Sequence, residues 1–350
     1  MPKSPFVSVL VSAYGESPYL GEALASVIGQ AEDPRSLEVV LLTDRHRSLE
    51  AIAGSSTKLA GPVREVLAQE PEKGAFFARG LRSCQGEVVS FLNDDDIWLP
   101  GKLTSVRRWM GSSPTVGLHR GGVRFYDGQP TSPPGWHRLS TRSGERPVRI
   151  QRGRKGWPAD LGRYAMGFND SAISARREVL EPALPYLSRI RASEDTFFLY
   201  AALASSEEMI YDPSPSVLYR TTPPPDSSTL PTPPSDPWSE LHREFRLRVE
   251  TYRVIRDAVS ALAPDREEVL AMADRGVALY ELLSTLTTPD SSRARIARRA
   301  WELLPSWRIY GPSMNLGLIA TAAVSLASSR FARQILLRGG LGWPLTPGPA

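Results

Sequence analysis

The sequence has a single cysteine, Cys84, and only four histidines, His46, His119, His137 and His242, far apart along the chain. One cysteine excludes an intramolecular disulfide framework and any multi-cysteine zinc or iron–sulfur site. The histidines show no ligand spacing, so a metal site must rest on carboxylates, which suit Mg2+ or Mn2+ rather than zinc. Long apolar runs are missing too. The nearest to a membrane span is Met314–Ala327, short of the ~18–20 residues a span needs. No secretory signal is visible: Phe6–Tyr14 is apolar but short and β-branched, and suits a buried strand better. The excess of positive charge is thin, 42 Lys+Arg against 38 Asp+Glu for a net +4, less than a protein built to coat nucleic acid usually carries. No Gly-x-Gly-x-x-Gly follows the first apolar run, which argues against a dinucleotide-binding dehydrogenase.

The 350 residues are 41% hydrophobic, enough for a full core in two domains or in one large domain with an appendage. The first ~110 residues alternate in type. Apolar strands are expected over Phe6–Ser12, Leu37–Leu42, Val63–Ala68 and Val88–Leu92. Helical patterns lie between them, from Ser17-Pro18 to Gly29, over Arg47–Ala53 and over Phe76–Cys84. Strand and helix in alternation predict an α/β fold with a mostly parallel sheet and helices on both faces. Beyond 110 the pattern loosens. His137–Arg163 carries eight Lys/Arg against two acids and reads as a basic loop. Phe168–Ala175 reads as a strand, Arg177–Leu187 as mixed helix and turn, Asp195–Ala204 as a helix, and Val217–Arg220 as a short late strand. Thr221–Pro237 is dense in Pro, Ser and Thr and reads as a linker. From Glu240 to the end the pattern is helical and rich in Arg.

The chemistry concentrates at one strand end. Asn93-Asp94-Asp95-Asp96 follows Val88–Leu92 directly, and open α/β sheets bind ligands at the carboxyl ends of their strands. Three adjacent aspartates repel one another unless a cation sits among them, and a hard divalent ion shared with phosphate oxygens meets that need. A solvated acidic turn, with Asp96 capping a helix at Trp98-Leu99-Pro100, is the alternative. Glu194-Asp195 is a second acidic pair, which taken alone reads as capping the following helix and favouring its dipole.

The segment Asn93–Asp96, followed by Trp98, Pro100, Lys102 and Leu103, resembles the metal-binding motif of family 2 glycosyltransferases, with Asn93 where the first aspartate usually stands. Other segments agree in order: Val7–Tyr14; Glu16, Leu20 and Leu24–Val27 up to Gln30; Glu38–Asp44; Lys73-Gly74, Ala78–Leu81 and Gly86-Glu87; and Tyr219-Arg220, which lacks the histidine that often follows. The resemblance covers about residues 5–225.

It implies a GT-A fold, a Rossmann-like mixed sheet between helices, here followed by a C-terminal helical extension. The expected organisation is a transferase domain over 1–220, its nucleotide-binding half about 1–110 and its acceptor half about 111–220. A Pro-rich linker over 221–239 and a helical region over 240–350 follow. The implied activity is inverting, metal-dependent transfer of a sugar from a nucleoside-diphosphate donor, UDP-linked by preference, to a hydroxyl of a glycan or glycolipid. Asp95 and Asp96 would hold Mg2+ or Mn2+. Ala13, Tyr14, Glu16, Asp44, Lys73, Arg79, Asp94 and Arg220 would hold the nucleotide sugar. Asp195 would be the base and Glu194 its support. Arg79 has an equal alternative as a surface ion pair, and Cys84 reads as inert packing. A cytoplasmic location is expected. Peripheral membrane contact is expected through the Arg-rich helices (Arg243, Arg246, Arg248, Arg253, Arg256, Arg293, Arg295, Arg298, Arg299) and Met314–Ala327. Nucleic acid is not an expected partner. The rival reading is a degenerate transferase domain serving as a membrane-surface or partner-binding module.

Overall fold

The computed structural model describes residues 6–30, 37–46, 63–126, 146–221, 237–288 and 292–303. The expected helix at Arg47–Ala53, Trp136, most of the linker and Met314–Ala327 lie outside them.

Four parallel strands form one half of a nine-stranded sheet: β1 (Val7–Ala13), β2 (Leu37–Thr43), β3 (Val63–Leu67) and β4 (Val88–Asn93), in the order β3-β2-β1-β4. Their apolar runs are continuous because both faces are covered. Leu10, Val40, Leu42, Val89 and Phe91 point into one core layer. Val7, Val9, Val11, Val39, Leu41, Val88 and Leu92 point into the other. This is the period-two alternation of a pleated strand. Helix α1 (Leu20–Ile28) covers the second layer with Leu20, Ala23, Leu24 and Val27. Helix α2 (Lys73–Ser83) covers the first with Phe76, Phe77, Ala78 and Leu81.

The second half is mixed, so the sheet as a whole is the mixed sheet expected of a GT-A fold, with its mostly parallel part in the first half, as the alternation of strand and helix there implies. After the short β5 (Ile97–Trp98) and α3 (Lys102–Gly111) come β6 (Val116–Tyr126), β7 (Val148–Gln151), α4 (Trp157–Arg163) and β8 (Ile173–Arg176). Short helices α5 (Arg177–Leu180) and α6 (Leu184–Leu187), then α7 (Glu194–Ser205) and β9 (Glu208–Arg220), complete it. β8 runs antiparallel to both β4 and β6, and β6 runs parallel to β9. β9 also pairs antiparallel with β5 and β7.

Three sequence expectations change here. The strand expected over Phe168–Ala175 shrinks, because Asn169 takes φ +59° and a 3-10 turn fills Asp170–Ala172. The late strand is 13 residues long rather than four. Pro213 and Pro215 hide it, since proline cannot donate to a ladder, and the β6 register slips around Gly121 and Gly122 at that point. A Cβ on Gly122 would stand 2.5 Å from the Pro213 carbonyl oxygen, so only glycine admits the irregular strand. The described part of the basic segment is ordered as β7 and α4, with Trp157 buried and its indole N–H donating to Glu268 at 2.9 Å.

Helices α8 (Pro237–Leu262) and α9 (Glu267–Thr287) pack side by side, followed by α10 (Arg293–Glu302). α8 also packs on α7, where Ile255, Ala258 and Val259 join the first core layer. Many of the expected membrane-facing arginines are ion-paired within this region: Arg253 and Arg299 with Glu281, Arg256 with Asp274, Arg298 with Glu302. No helix among the described residues is long and apolar enough to cross a membrane.

Candidate active site

The carboxyl ends of β1 and β4 lie side by side, with Ser12 in register with Asn93. Ser12 Oγ donates to Asn93 Oδ1 at 2.9 Å, and Asn93 Nδ2 donates to Asp170 Oδ1 at 2.7 Å. The Asn93 amide is therefore used at both ends, accepting from one neighbour and donating to the other. The chain turns after it: the Asp94 N–H donates to the Ser12 carbonyl at 3.0 Å and the Asp94 carbonyl accepts from Ser17 Oγ at 3.4 Å.

The next two aspartates have different fates. Asp96 is fully buried. Its Oδ2 accepts from Ser171 Oγ at 2.6 Å and Asn169 Nδ2 at 3.1 Å, and its Oδ1 accepts from the Arg220 N–H at 3.1 Å. Burial, with the Asp95 charge adding to it, pushes this carboxyl well above the usual range. The expected place of Asp96 beside the metal is thus not the one the structure gives it: it ties β9 and the 169–171 turn to β4. Asp95 is half-buried, and no side chain among the described residues donates a hydrogen bond to its carboxylate. Burial raises its pKa while its own amide and the charges of Lys73 and Arg220 oppose the rise.

Across from this turn is the start of α7. Phe91 of β4 stacks on Phe198 of α7 at 4.3 Å between centroids, and Phe77 of α2 packs edge-on to Phe198 at 5.9 Å. These rings fix α7 against the strand that carries Asp95. Glu194 is buried and ion-paired through Oε1 with the half-exposed Lys73 ammonium. That contact needs α2 to press against the loop before α7. Gly74 N–H donates to the Ile190 carbonyl at 2.9 Å, and a Cβ at Gly74 would stand 2.0 Å from the Leu187 carbonyl oxygen. Asp195 accepts from the Thr196 N–H at 2.6 Å through Oδ1 and from the Asn169 N–H at 3.1 Å through Oδ2. Burial first, then the Glu194 charge, lift its pKa to about 6.

Sequence reasoning missed two members of the site. Asp170 is buried, and burial with the neighbouring Glu194 charge lifts it to about 7. It sits in the turn that sequence pattern had assigned to a strand; the run Asn169-Asp170-Ser171 was the available signal. Tyr219 sits between Phe125 and Phe168, ring centroids 5.5 and 5.8 Å away. Burial first, then the negative charges of Asp96, Asp95, Asp170 and Asp195, raise its pKa and keep its phenol protonated.

The nucleotide side is more open. Ala13 is buried at the end of β1. Tyr14 is 67% exposed and edge-on to Phe76. Gly15, at φ +68°, donates its N–H to Asp44 Oδ1 at 3.3 Å, which joins the ends of β1 and β2. Arg45 pairs with both Asp44 and Glu16, at 3.3 and 3.6 Å. Arg79 lies on the exposed face of α2. Arg220 is committed elsewhere: its guanidinium stacks 3.7 Å from the Tyr19 ring, pairs with Glu22 at 2.9 Å and donates to the Asp95 carbonyl at 3.0 Å. The structure thus uses it to bind β9 to α1 and to hold the Asp95 backbone, not as a free arm for a diphosphate. Cys84 is buried, as expected of packing.

Among the described residues no three His, Cys, Asp or Glu side chains are grouped to hold a metal ion. A lone Asp95 carboxylate still fits a Mg2+- or Mn2+-type ion, because such ions commonly take one or two carboxylates and complete their shell with substrate phosphates and water.

Residues 8–174 match the model of the family described as Glycosyl transferase family 2. A protein of Nostoc sp. described as an uncharacterized glycosyltransferase is 29% identical over 114 residues, 32% of this chain and 35% of the relative. A second, from Rickettsia felis and described in the same words, is 24% identical over 99 residues, 28% of this chain and 16% of the relative. The chain therefore matches about a third or less of the length of these curated relatives. Among solved structures, S. aureus TarS 1-349 in complex with UDP aligns over 95% of this chain and 91% of its own, with a TM-score of 0.54 and 13% identity. The mannosyltransferase PcManGT from Pyrobaculum calidifontis, in complex with GDP-Man and Mn2+, aligns over 97% of this chain and 85% of its own, with a TM-score of 0.51 and 18% identity. At these identities the likeness is one of fold, the GT-A type.

Proposed function

From a chain whose residues 8–174 are a family 2 glycosyltransferase domain, we propose a metal-dependent, inverting transfer of a sugar from a nucleoside diphosphate to an acceptor hydroxyl. The observation that carries this reading is Asp195. Its carboxylate is held by two backbone N–H groups, is joined through Asn169 to Asp96 of the acidic turn, and is lifted by burial and the Glu194 charge to about 6. A base with that value is ionised at neutral pH yet basic enough to accept a proton.

In the step proposed, the acceptor oxygen bonds to the anomeric carbon as the bond from that carbon to the diphosphate oxygen breaks. The acceptor proton passes to Asp195 and the nucleoside diphosphate leaves. Asp195 has a lone pair free on each oxygen for this, and Asn169 and Thr196 orient it. Lys73 holds Glu194 beside it. The Tyr219 hydroxyl can donate to an oxygen of the sugar or the diphosphate. Asp95 would hold the divalent ion, which supplies charge stabilisation for the leaving diphosphate. Tyr14, Glu16 and Asp44 would meet the nucleoside. The UDP and GDP-Man of the two structural neighbours define the base classes to separate, with UDP first. The acceptor proposed is a glycan or glycolipid hydroxyl.

The test is thermal melting of the purified chain with UDP, GDP, dTDP or CMP, each with Mn2+, Mg2+ or EDTA. A ligand that binds only the folded state raises the melting temperature, by about 2.7 kcal/mol of stability at a hundred times its Kd. A metal-dependent shift with one diphosphate, lost in Asp95→Ala, is expected. No shift with any nucleotide, from a well-folded sample, sinks the reading in favour of a degenerate domain that binds a partner or membrane.

A further inference from the structure

Among the described residues two large hydrophobic side chains are exposed, Tyr14 and Trp301. Tyr14 stands at the nucleotide side of the site. Trp301 has no part in it: the indole is 72% exposed near the end of α10. The helix that carries it is firmly seated. At its start Ser292 Oγ accepts from the Arg295 N–H at 3.3 Å. Its inner face puts Ile296, and Leu303 just after the helix, into a core with Phe245 of α8 and Leu282 and Leu283 of α9. Arg299 pairs with Glu281 of α9. Helical spacing then leaves Ala294, Ala297, Arg298 and Trp301 on the outward face, with Arg295 at its margin. All five are exposed.

The charge around the indole is positive. α10 carries four arginines and one glutamate. Among the described residues its ion pairs use Arg298 and Arg299, and none uses Arg295. The Arg298–Glu302 pair spans one turn of the helix at 3.3 Å and leaves Arg298 79% exposed. Exposed pairs of this kind are weak and do not withhold the guanidinium from a phosphate. The sequence beyond continues in the same character. Residues 303–350 contain no Asp, Glu or Lys, four arginines (Arg308, Arg330, Arg333 and Arg338) and the apolar run 314–327. An acidic protein would meet the arginines but has no use for so apolar and acid-free a continuation. A bilayer meets both, its phosphates taking the guanidinium groups and its interface the indole and the aliphatic side chains.

We propose that the outward face of α10, continued by the chain after Glu302, docks on a bilayer bearing anionic phospholipid, with Trp301 as the interfacial anchor and Arg295 and Arg298 at the head-group phosphates. Arg248, Arg253 and Arg256 are taken by Glu244, Glu281 and Asp274. The lipid contact therefore narrows from an Arg-rich region to one helix face. That face belongs to the helices beyond residue 237, so it stands whichever carboxylate serves as base.

The test is flotation of the full chain with vesicles of equal parts phosphatidylglycerol and phosphatidylcholine, and with vesicles of phosphatidylcholine alone, at low and at high salt. Binding to the mixed vesicles at low salt is expected, weakened by added salt and much weaker on phosphatidylcholine alone. Trp301→Ala should loosen it roughly tenfold, as for withdrawing about a quarter of the ring's area from the apolar boundary. Arg295→Gln should loosen it roughly fivefold, the usual effect of one cationic residue at an anionic surface. Both side chains are exposed, so both variants should melt with the wild type; if Trp301→Ala melts lower, Arg295→Gln decides. A full chain that ignores the mixed vesicles, binds both kinds alike at every salt concentration, or binds as tightly after these substitutions as before, overturns the proposal. So does retention on polyglutamate with the same dependence on Trp301 and Arg295 while vesicles are ignored, which would make the face a docking site for an acidic protein.

Discussion

The side-chain amide of Asn93 donates to the Asp170 carboxylate at 2.7 Å while its oxygen accepts from Ser12. The residue that departs from the expected aspartate is therefore matched to a carboxylate that sits opposite it. An aspartate at 93 would place two buried carboxyls against each other, and one would have to stay protonated. Asn93 and Asp170 are a complementary pair.

Asn93→Asp should destabilise the protein by about 1–3 kcal/mol at pH 8, the usual size of an uncompensated buried group. The loss should shrink below pH 5, where a proton can be shared. Combining it with Asp170→Asn should recover much of the stability, because donor and acceptor then exchange places. Thermal melts of the four proteins at both pH values give the coupling directly.

Asp195→Asn should reduce sugar transfer by about a hundred- to ten-thousandfold, the range for loss of a general base, with nucleotide binding retained. In the wild type, kcat/KM should fall on the acid side with a midpoint near 6. The raised pKa of Asp195 also makes stability depend on pH. Asp195 titrates above its ordinary value in the native state, so the native state binds more protons than the unfolded state between about pH 4 and 6. Stability falls as pH rises through that window. Asparagine removes this pH dependence but turns its NH2 towards one of the two N–H groups that the carboxylate accepts, so the variant should melt below the wild type near pH 4, with the gap narrowing towards pH 8.

Metal binding should depend on nucleotide. Asp95 is a single available carboxylate, and the rest of the ion's shell would come from phosphate oxygens and water. Titration of Mn2+ followed by electron paramagnetic resonance should show weak binding to the protein alone and at least ~10-fold tighter binding with the matching nucleoside diphosphate. Asp95→Ala should abolish the enhancement. Asp96→Asn should instead lower the melting temperature, since Asp96 holds Asn169, Ser171 and Arg220 together. Tight binding of Mn2+ without nucleotide would contradict this division of labour.

Gly74→Ala should cost about 1–3 kcal/mol, the usual range for overpacking, because the added methyl meets the Leu187 and Ile190 carbonyl oxygens. The helix must back away, and the Lys73–Glu194 ion pair goes with it. A melt combined with the pH dependence of transfer separates lost stability from a displaced Lys73.

The nucleotide-binding half was legible in the sequence because its signals are local. Val7–Ala13, Leu37–Thr43 and Val88–Asn93 are unbroken apolar runs of strand length, α1 shows helical spacing, and the acidic turn follows its strand directly. The two carboxylate clusters could be found for the same reason: each is contiguous in sequence. The division of roles within them could not. Asp94, Asp95 and Asp96 are adjacent and chemically alike. Asp96 is withdrawn from the site by partners 73, 75 and 124 residues away. Asp170 enters the site only because the 3-10 turn lies beside β4. Arg220, a credible phosphate ligand in sequence, is taken by Glu22 and two tyrosine rings. Hydrophobic period and strand-end chemistry are properties of short windows, and they determined the fold class and the place of the chemistry. Burial, hydrogen-bond competition and charge pairing depend on residues that meet only after folding, and they decided which carboxylate is available and which is structural.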